Sequence, residues 1–385
     1  SIDTHFRLAG RDSLKVPDGI AHFLEHKMFE EPQGDVFATF AAQGASANAF
    51  TTFDRTTYLF SATDQIPANL ETLLNFVQNP YFTEPSVEKE KGIIEQEINM
   101  YRDNPDYRVY FGLIEALYQK HPVRIDIAGT VDSIYRITRE LLYECYNTFY
   151  HPSNMSLFVV GSVDPGEILL LVRDNQAKKN VEMQGAIERL FEEEPPEVHK
   201  PQERIRLAVA MPKCLIGFKD ASVPAGGQAL LQQELETKLL LDILFSPSSA
   251  IFEKLYDEKL ITDQFATEYN TGPGYAFSVV GGDTRDPDAL VKRLREEAER
   301  LLERGGIGEA DFERSRRKKI GAFLRMLNSP EAIANEFTRC RMREMDLFEV
   351  LETYERITRE QINRRFETLF RWDRSAVSIV EHAGN

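Results

Sequence analysis

The sequence predicts an α+β protein built as two halves, and three observations carry that prediction. Stretches with helical apolar spacing alternate with short strand-like runs along the chain. At 385 residues there is enough chain for two hydrophobic cores. The character of the chain changes between Asp174 and Glu203. There, the polar run Asn175-Gln176-Ala177-Lys178-Lys179-Asn180 is followed by the acidic, proline-broken Glu192-Glu193-Glu194-Pro195-Pro196-Glu197. We read this as a linker over 174–203 between a first domain over 1–173 and a second over 204–385. The acidic run could serve as a binding strip for basic peptides; a solvated linker is the more economical reading.

The first residues read as a strand. Pro17-Asp18-Gly19 is a turn, with Asp18 the expected N-cap of a helix over 19–29 that Glu30, Glu31 and Pro32 close. That helix carries His22-Phe23-Leu24-Glu25-His26. Imidazoles four residues apart share one helix face and can hold a single metal ion. Glu25 projects near the same face and could take a proton from a water activated by the metal. The order His-x-x-Glu-His reverses His-Glu-x-x-His and is the inverzincin signature. A catalytic zinc site takes three protein ligands and keeps one position for water, so a further ligand, a carboxylate, is expected from elsewhere.

The helix expected over 86–101 offers it. At about 100° per residue, Glu90 and Glu97 fall about 20° apart, flanked by Ile93, Ile94 and Tyr101, with Glu88 and Glu95 on the opposite side. The second pair reads as a solvated face. The first points into the apolar stripe, where a carboxylate needs a partner. A zinc ion would be one; a Lys or Arg is the alternative. Further helices are expected over 67–78, 108–118 and 138–149, and strands over 56–61 and 155–160. In the second half, Ile205-Arg206-Leu207-Ala208-Val209-Ala210 alternates as a strand does. Helices follow over 227–244, 286–304, 309–327 and 330–343, with strands over 275–280 and 376–380. Gly272-Pro273-Gly274 lacks the spacing and following helix of a phosphate loop and reads as a turn.

Composition narrows the function classes. The chain is 42% hydrophobic and 28% charged, ordinary for a globular protein. A net charge of −16 argues against nucleic acid or an anionic membrane as partner, and would attract basic peptides if the acids line a substrate cavity. Cys145, Cys214 and Cys340 are widely spaced and read as reduced, buried thiols of a cytoplasmic protein. No apolar stretch reaches membrane-spanning length and no signal peptide is visible.

The zinc-helix motif His22-Phe23-Leu24-Glu25-His26, followed by Glu90 and Glu97 within Glu88-Lys89-Glu90-Lys91-Gly92-Ile93-Ile94-Glu95-Gln96-Glu97-Ile98, resembles the pitrilysin family of zinc peptidases. That family includes insulin-degrading enzyme and the mitochondrial processing peptidase. Gly44-Ala45-Ser46-Ala47-Asn48-Ala49-Phe50-Thr51, His121-Pro122 with Ala128-Gly129-Thr130, Tyr150-His151-Pro152-Ser153-Asn154-Met155 and Val159-Val160-Gly161-Ser162-Val163-Asp164 extend the likeness. The resemblance implies one Zn²⁺ per chain, held by His22, His26 and Glu97, with Glu25 as general base and Glu90 an auxiliary carboxylate. It implies that Ala47, Asn48 and Ala49 lie on an edge strand that pairs with an extended peptide substrate, which suits an edge's free backbone groups. It further implies two repeated domains, each an antiparallel sheet with helices packed on one face, and more sequence, an N-terminal hairpin, before Ser1. Gly227-Gln228-Ala229-Leu230-Leu231-Gln232-Gln233 stands where the first half has its zinc helix and carries no histidine, so only the first half would be catalytic.

One departure matters. Active single-chain relatives carry an Arg and a Tyr seven residues apart in the second half that grip the substrate; here Tyr256 and Asp263 stand in their places. A tyrosine brings no positive charge, and an aspartate would repel a developing oxyanion. The expectation is a zinc endopeptidase subunit that acts as a dimer, preferentially with a homologous subunit lacking the zinc motif and supplying the Arg/Tyr pair. The alternatives are a non-catalytic assembly subunit and a peptide-binding module of the same fold.

Overall fold

The computed structural model describes residues 1–179 and 181–382. Asn180, in the polar run read as linker, and 383–385, at the end of the expected second domain, lie outside the described residues. By packing, the chain forms two compact units: Ser1–Met100 with Ile125–Glu192, and Tyr101–Arg124 with Glu193–Asn385. The expected boundary shifts accordingly. Residues 174–192 belong with the first unit, and 101–124 belong with the second.

The first unit runs β1 (His5–Leu8), β2 (Leu14–Lys15), α1 (Ile20–Met28), β3 (Glu30–Glu31), β4 (Gly34–Asp35), α2 (Val36–Ala42), β5 (Ala45–Thr51), β6 (Thr56–Ala62), α3 (Ile66–Phe76) and α4 (Glu84–Arg102). After α5 (Pro105–Leu117), which packs in the second unit, it resumes with α6 (Val131–Ile134), α7 (Arg139–Phe149), α8 (Pro165–Ala177) and β7 (Ile187–Arg189). Its strands form small antiparallel sheets: β2-β1-β7, β3-β4 and β5-β6. The stretch 155–160, expected as a strand, carries none. β7 also accounts for part of the segment read as linker.

The start of α1 is fixed by backbone rather than by a side-chain cap. Gly19, not Asp18, is its N-cap; φ is 87° and no side-chain cap bond forms. A Cβ on Gly19 would sit 2.5 Å from the Ala128 carbonyl oxygen, and one on Gly129 would sit 2.5 Å from that of Asp18. Two loops therefore cross at van der Waals contact, which only glycine permits at these dihedrals. The Ser133 hydroxyl donates to the Asp18 carbonyl at 2.8 Å and ties the crossing together. Below it, Phe23, Leu24 and Met28 of α1 are buried. Phe29 stacks on Phe37 at 4.2 Å and meets Phe76 at 5.2 Å, and Tyr58 meets Phe76 edge-on at 5.6 Å. This aromatic cluster joins α1 to α2, α3 and β6.

The second unit continues with β8 (Gln202–Leu207), β9 (Lys213–Lys219), α9 (Gly227–Phe245), α10 (Ala250–Asp257), β10 (Ala266–Gly272), β11 (Tyr275–Asp283), α11 (Pro287–Glu303), α12 (Glu309–Met326), α13 (Pro330–Met342), α14 (Val350–Arg356), α15 (Arg359–Leu369) and β12 (Ser375–His382). The five-stranded sheet has the order β10-β11-β9-β12-β8. This is the α+β architecture the sequence predicts, with two refinements. The β8–β12 pair is parallel, the others antiparallel. Helices also cover both faces. Cys214, Ile216 and Phe218 of β9 join the core with the leucines of α9. Gly217, on the other face, meets Leu113 and Leu117 of α5 so closely that a Cβ there would lie within 3.0 Å of them.

The acidic run is not wholly solvated. Glu194 accepts the backbone N–H groups of Gln119, Lys120 and His121 at 2.7–2.9 Å and pairs with the buried Lys219 ammonium at 2.6 Å. Val123 N–H donates to His121 Nδ1 at 3.0 Å, so Nε2 carries the proton and donates to the Pro273 carbonyl at 2.9 Å. Gly272-Pro273-Gly274 is the tight turn between β10 and β11. All three cysteines are free and buried, and among the described residues no helix is long and apolar enough to cross a membrane.

Candidate metal centre

α1 is short, but it places His22 and His26 one turn apart, with ring centroids 4.5 Å from each other. α4 lies across them. Its buried stripe is Val87, Lys91, Ile94 and Ile98, with Glu90 and Glu97 at the margin facing α1. Ile93, expected inside that stripe, is 45% exposed, because the stripe follows 87, 91, 94 and 98 and passes it by. Lys91 takes a core position instead and turns its ammonium to Glu88 and the Tyr135 carbonyl.

His22 Nε2 is 3.7 Å from Glu97 Oε1, and His26 Nε2 is 3.6 Å from Glu97 Oε2. One ligand atom from each of these three residues lies within 4.8 Å of the others. Tetrahedral zinc with bonds of about 2.0–2.1 Å sets its ligands roughly 3.4 Å apart. The donor set and its spacing therefore fit that ion after a small inward closure. Glu90 Oε1 is 3.0 Å from His26 Nδ1, the carboxylate–imidazole contact that orients a metal-ligating histidine. His22 has no such support among the described residues: its Nδ1 is buried without a hydrogen bond.

The electrostatics call for a cation. Three carboxylates, Glu25, Glu90 and Glu97, converge on two imidazoles. Burial and then the neighbouring His26 push the His22 imidazole down to about 4, so it is neutral at neutral pH. Burial also pushes His26 down, but Glu90 and Glu97 outweigh it and hold this ring above its ordinary value. Burial likewise lifts Glu90, but His26 and Lys27 outweigh it and the carboxyl stays low. Glu25 is 8% exposed, and burial raises its carboxyl against the opposing Thr51 hydrogen bond. Thr51 Oγ1 donates to Glu25 Oε2 at 2.6 Å. Thr51 was part of a recognised stretch, but nothing in the spacing alone assigns its hydroxyl a task.

Ala47, Asn48 and Ala49 lie on β5, opposite Phe60, Leu59 and Tyr58 of β6. The pair is a two-stranded ribbon, so the far edge of β5 has no strand partner among the described residues. Asn48 is exposed, and its Oδ1 accepts the Ala49 N–H at 2.9 Å. A peptide laid along this edge would compete with that side chain for the amide. In the second unit, Tyr256 is 52% exposed and stacks on Phe252, and Asp263 is exposed. Neither is a cation.

The family described as insulinase (peptidase family M16) matches residues 15–131, and the M16 peptidase inactive domain matches 136–319. A Bacillus subtilis protein named as an uncharacterised zinc protease, YmfH, is 52% identical over 382 residues, covering 99% of this chain and 89% of its own. A solved structure from Alicyclobacillus acidocaldarius, described as M16-like, superimposes with a TM-score of 0.95 at 44% identity, covering 100% of this chain and 90% of that one. A Helicobacter pylori protease shares the fold, with a TM-score of 0.84 at 20% identity over 95% of this chain and 89% of that one. With both family descriptions matched in chain order and a relative of this identity spanning nearly its whole length, the chain belongs to the M16, insulinase-type, peptidase family.

Proposed function

We propose that this chain is a zinc-dependent endopeptidase subunit that hydrolyses extended peptides. The observation that carries the reading is the meeting of His22, His26 and Glu97, with the Glu25 carboxylate on the same turn of α1. The relatives' names as zinc proteases support it. His22 Nε2, His26 Nε2 and a Glu97 oxygen would hold one zinc ion, with Glu90 steadying His26. When bound, zinc polarises the substrate carbonyl and makes water acidic enough to lose a proton near neutral pH. Glu25 takes that proton and delivers it to the leaving amine, a role suited to a carboxyl raised by burial. The open edge of β5 around Ala47, Asn48 and Ala49 would hold the substrate by its backbone, so recognition would depend little on side chains.

Glu25→Gln tests the reading. It should keep zinc at wild-type stoichiometry and lower turnover of a quenched peptide by at least about a hundredfold. Wild-type turnover from this variant would remove Glu25 as the base. The neutral and acidic side chains at Tyr256 and Asp263 favour a second layer of the proposal: a heterodimer in which a homologous subunit supplies the missing Arg/Tyr pair. Hydrolysis by the zinc-loaded chain alone, at the rate of the complex isolated from its source cell, would refute that layer. The same departure favours, as an alternative, a non-catalytic assembly or peptide-binding subunit, for which zinc would bind and no complex would cleave.

A further inference from the structure

We propose that Thr51 is the positioning residue for Glu25, anchoring oxygen Oε2 so that Oε1 is the oxygen that exchanges the proton. This rests on the endopeptidase reading above and adds to it a device that aims the base. Thr51 Oγ1 lies 2.6 Å from Glu25 Oε2, and among the described residues no other hydrogen bond reaches that carboxylate. A threonine hydroxyl has one hydrogen. With that hydrogen given to Glu25, the 3.2 Å contact between Thr51 Oγ1 and Thr56 Oγ1 must have Thr56 as donor. Two hydroxyls in series therefore point their hydrogens toward one carboxylate oxygen and leave the other free.

The anchor stands on a stiff support. Thr51 and Thr56 face each other as the last rung of the β5–β6 ladder, and Thr52 N–H donates to the Arg55 carbonyl at 2.8 Å to close the hairpin just beyond it. β5 also carries Ala47, Asn48 and Ala49. The strand offered to the substrate backbone and the hydroxyl that holds the base are thus one rigid piece, so a peptide lying on the strand is set in register with Glu25. A glutamate without such a hold samples several rotamers, and a base loses efficiency with small errors of aim.

Thr51→Val keeps the shape and β-preference of the side chain and removes only the hydroxyl; Thr51→Ser restores the hydroxyl. The probe is a peptide hydroxamate, which chelates zinc and hydrogen-bonds to the base carboxylate, titrated calorimetrically into the zinc-loaded full chain with metal content measured alongside. T51V should retain full zinc and bind the hydroxamate about ten- to a hundredfold more weakly, the range of one hydrogen bond to a charged group. T51S should stay within about threefold of wild type. T51A carries the same expectation as T51V should the latter not fold. Wild-type affinity in T51V, or a T51S as weak as T51V, overturns the proposal. Glu25→Gln measured in parallel separates the two layers. If it too binds like wild type, the base assignment has failed; if it is weakened while T51V is not, only the anchor has failed.

Discussion

Glu97 and Glu90 are two turns apart on one helix, and the proposed zinc site gives them different tasks, so their removal should differ in kind. Glu97→Ala would take away a proposed ligand and should leave the purified protein without zinc by metal analysis. Glu90→Ala removes the contact to His26 Nδ1 and the charge beside Lys27, and should weaken zinc binding by about ten- to a hundredfold without abolishing it, measured by competition with a chelator. Both residues were legible because a helical wheel needs only spacing, and the two histidines were legible for the same reason. Ile93 was misplaced because the buried stripe runs through 87, 91, 94 and 98, and at about 100° per residue Ile93 falls well off that line, while the long stem of Lys91 fills a core position on it. Asn48 and Thr51 were seen only as members of a stretch. Their hydrogen bonds join α1 to β5, or close back on the local backbone, and no periodicity records either.

The elements that escaped the sequence reading did so for physical reasons. Asp18 looks like a cap, yet α1 begins one residue later, because the loop at Ala128 and Gly129 presses on the turn and only a left-handed glycine fits. Gly19→Ala should therefore cost about 1–3 kcal/mol or more by urea unfolding, with reduced zinc retention because the histidine helix starts there. Gly10, whose added Cβ would meet nothing, has a positive φ without the crossing; Gly10→Ala should cost less. α8 could have been found: Asp164 caps it through Glu167 N–H, and Pro165 sits at its first position. The stretch 155–160 has the composition of a strand, but composition does not supply the backbone partner that a ladder needs, and among the described residues none pairs with it.

Over the whole molecule, the acid limb of stability should depend on Glu194. Burial alone would raise this carboxyl; Lys219 and the three amide N–H groups outweigh it and hold it below its ordinary value of 4.5. At Lys219, burial wins over Glu194 and the ammonium sits low. The carboxylate sets the acid behaviour, since its amide donors do not titrate. A carboxyl lowered by folding contributes stability that is complete above 4.5 and fades as pH falls through the lower folded value. Glu194→Gln should thus destabilise the protein at neutral pH and flatten the loss between neutral and acidic conditions, seen in melting temperatures taken across that range. The parallel β8–β12 pair and the placement of α5 were beyond the sequence reading, because both depend on partners distant along the chain. Residues 193–385 expressed alone should be insoluble, and adding 101–124 as a peptide should improve recovery. Without α5, the sheet face at Gly217 has no Leu113 or Leu117 to cover it.

That lent helix has a consequence for descent as well as for folding. If an ancestral gene doubled, no single crossover point in the modern gene would return two self-sufficient ancestors, since each cut strands a piece of one inside the other. The half that lacks the His-x-x-Glu-His motif would therefore be kept whether or not it touches chemistry, and loss of catalysis in a sister lineage would be expected to erase side chains long before it shortened the chain.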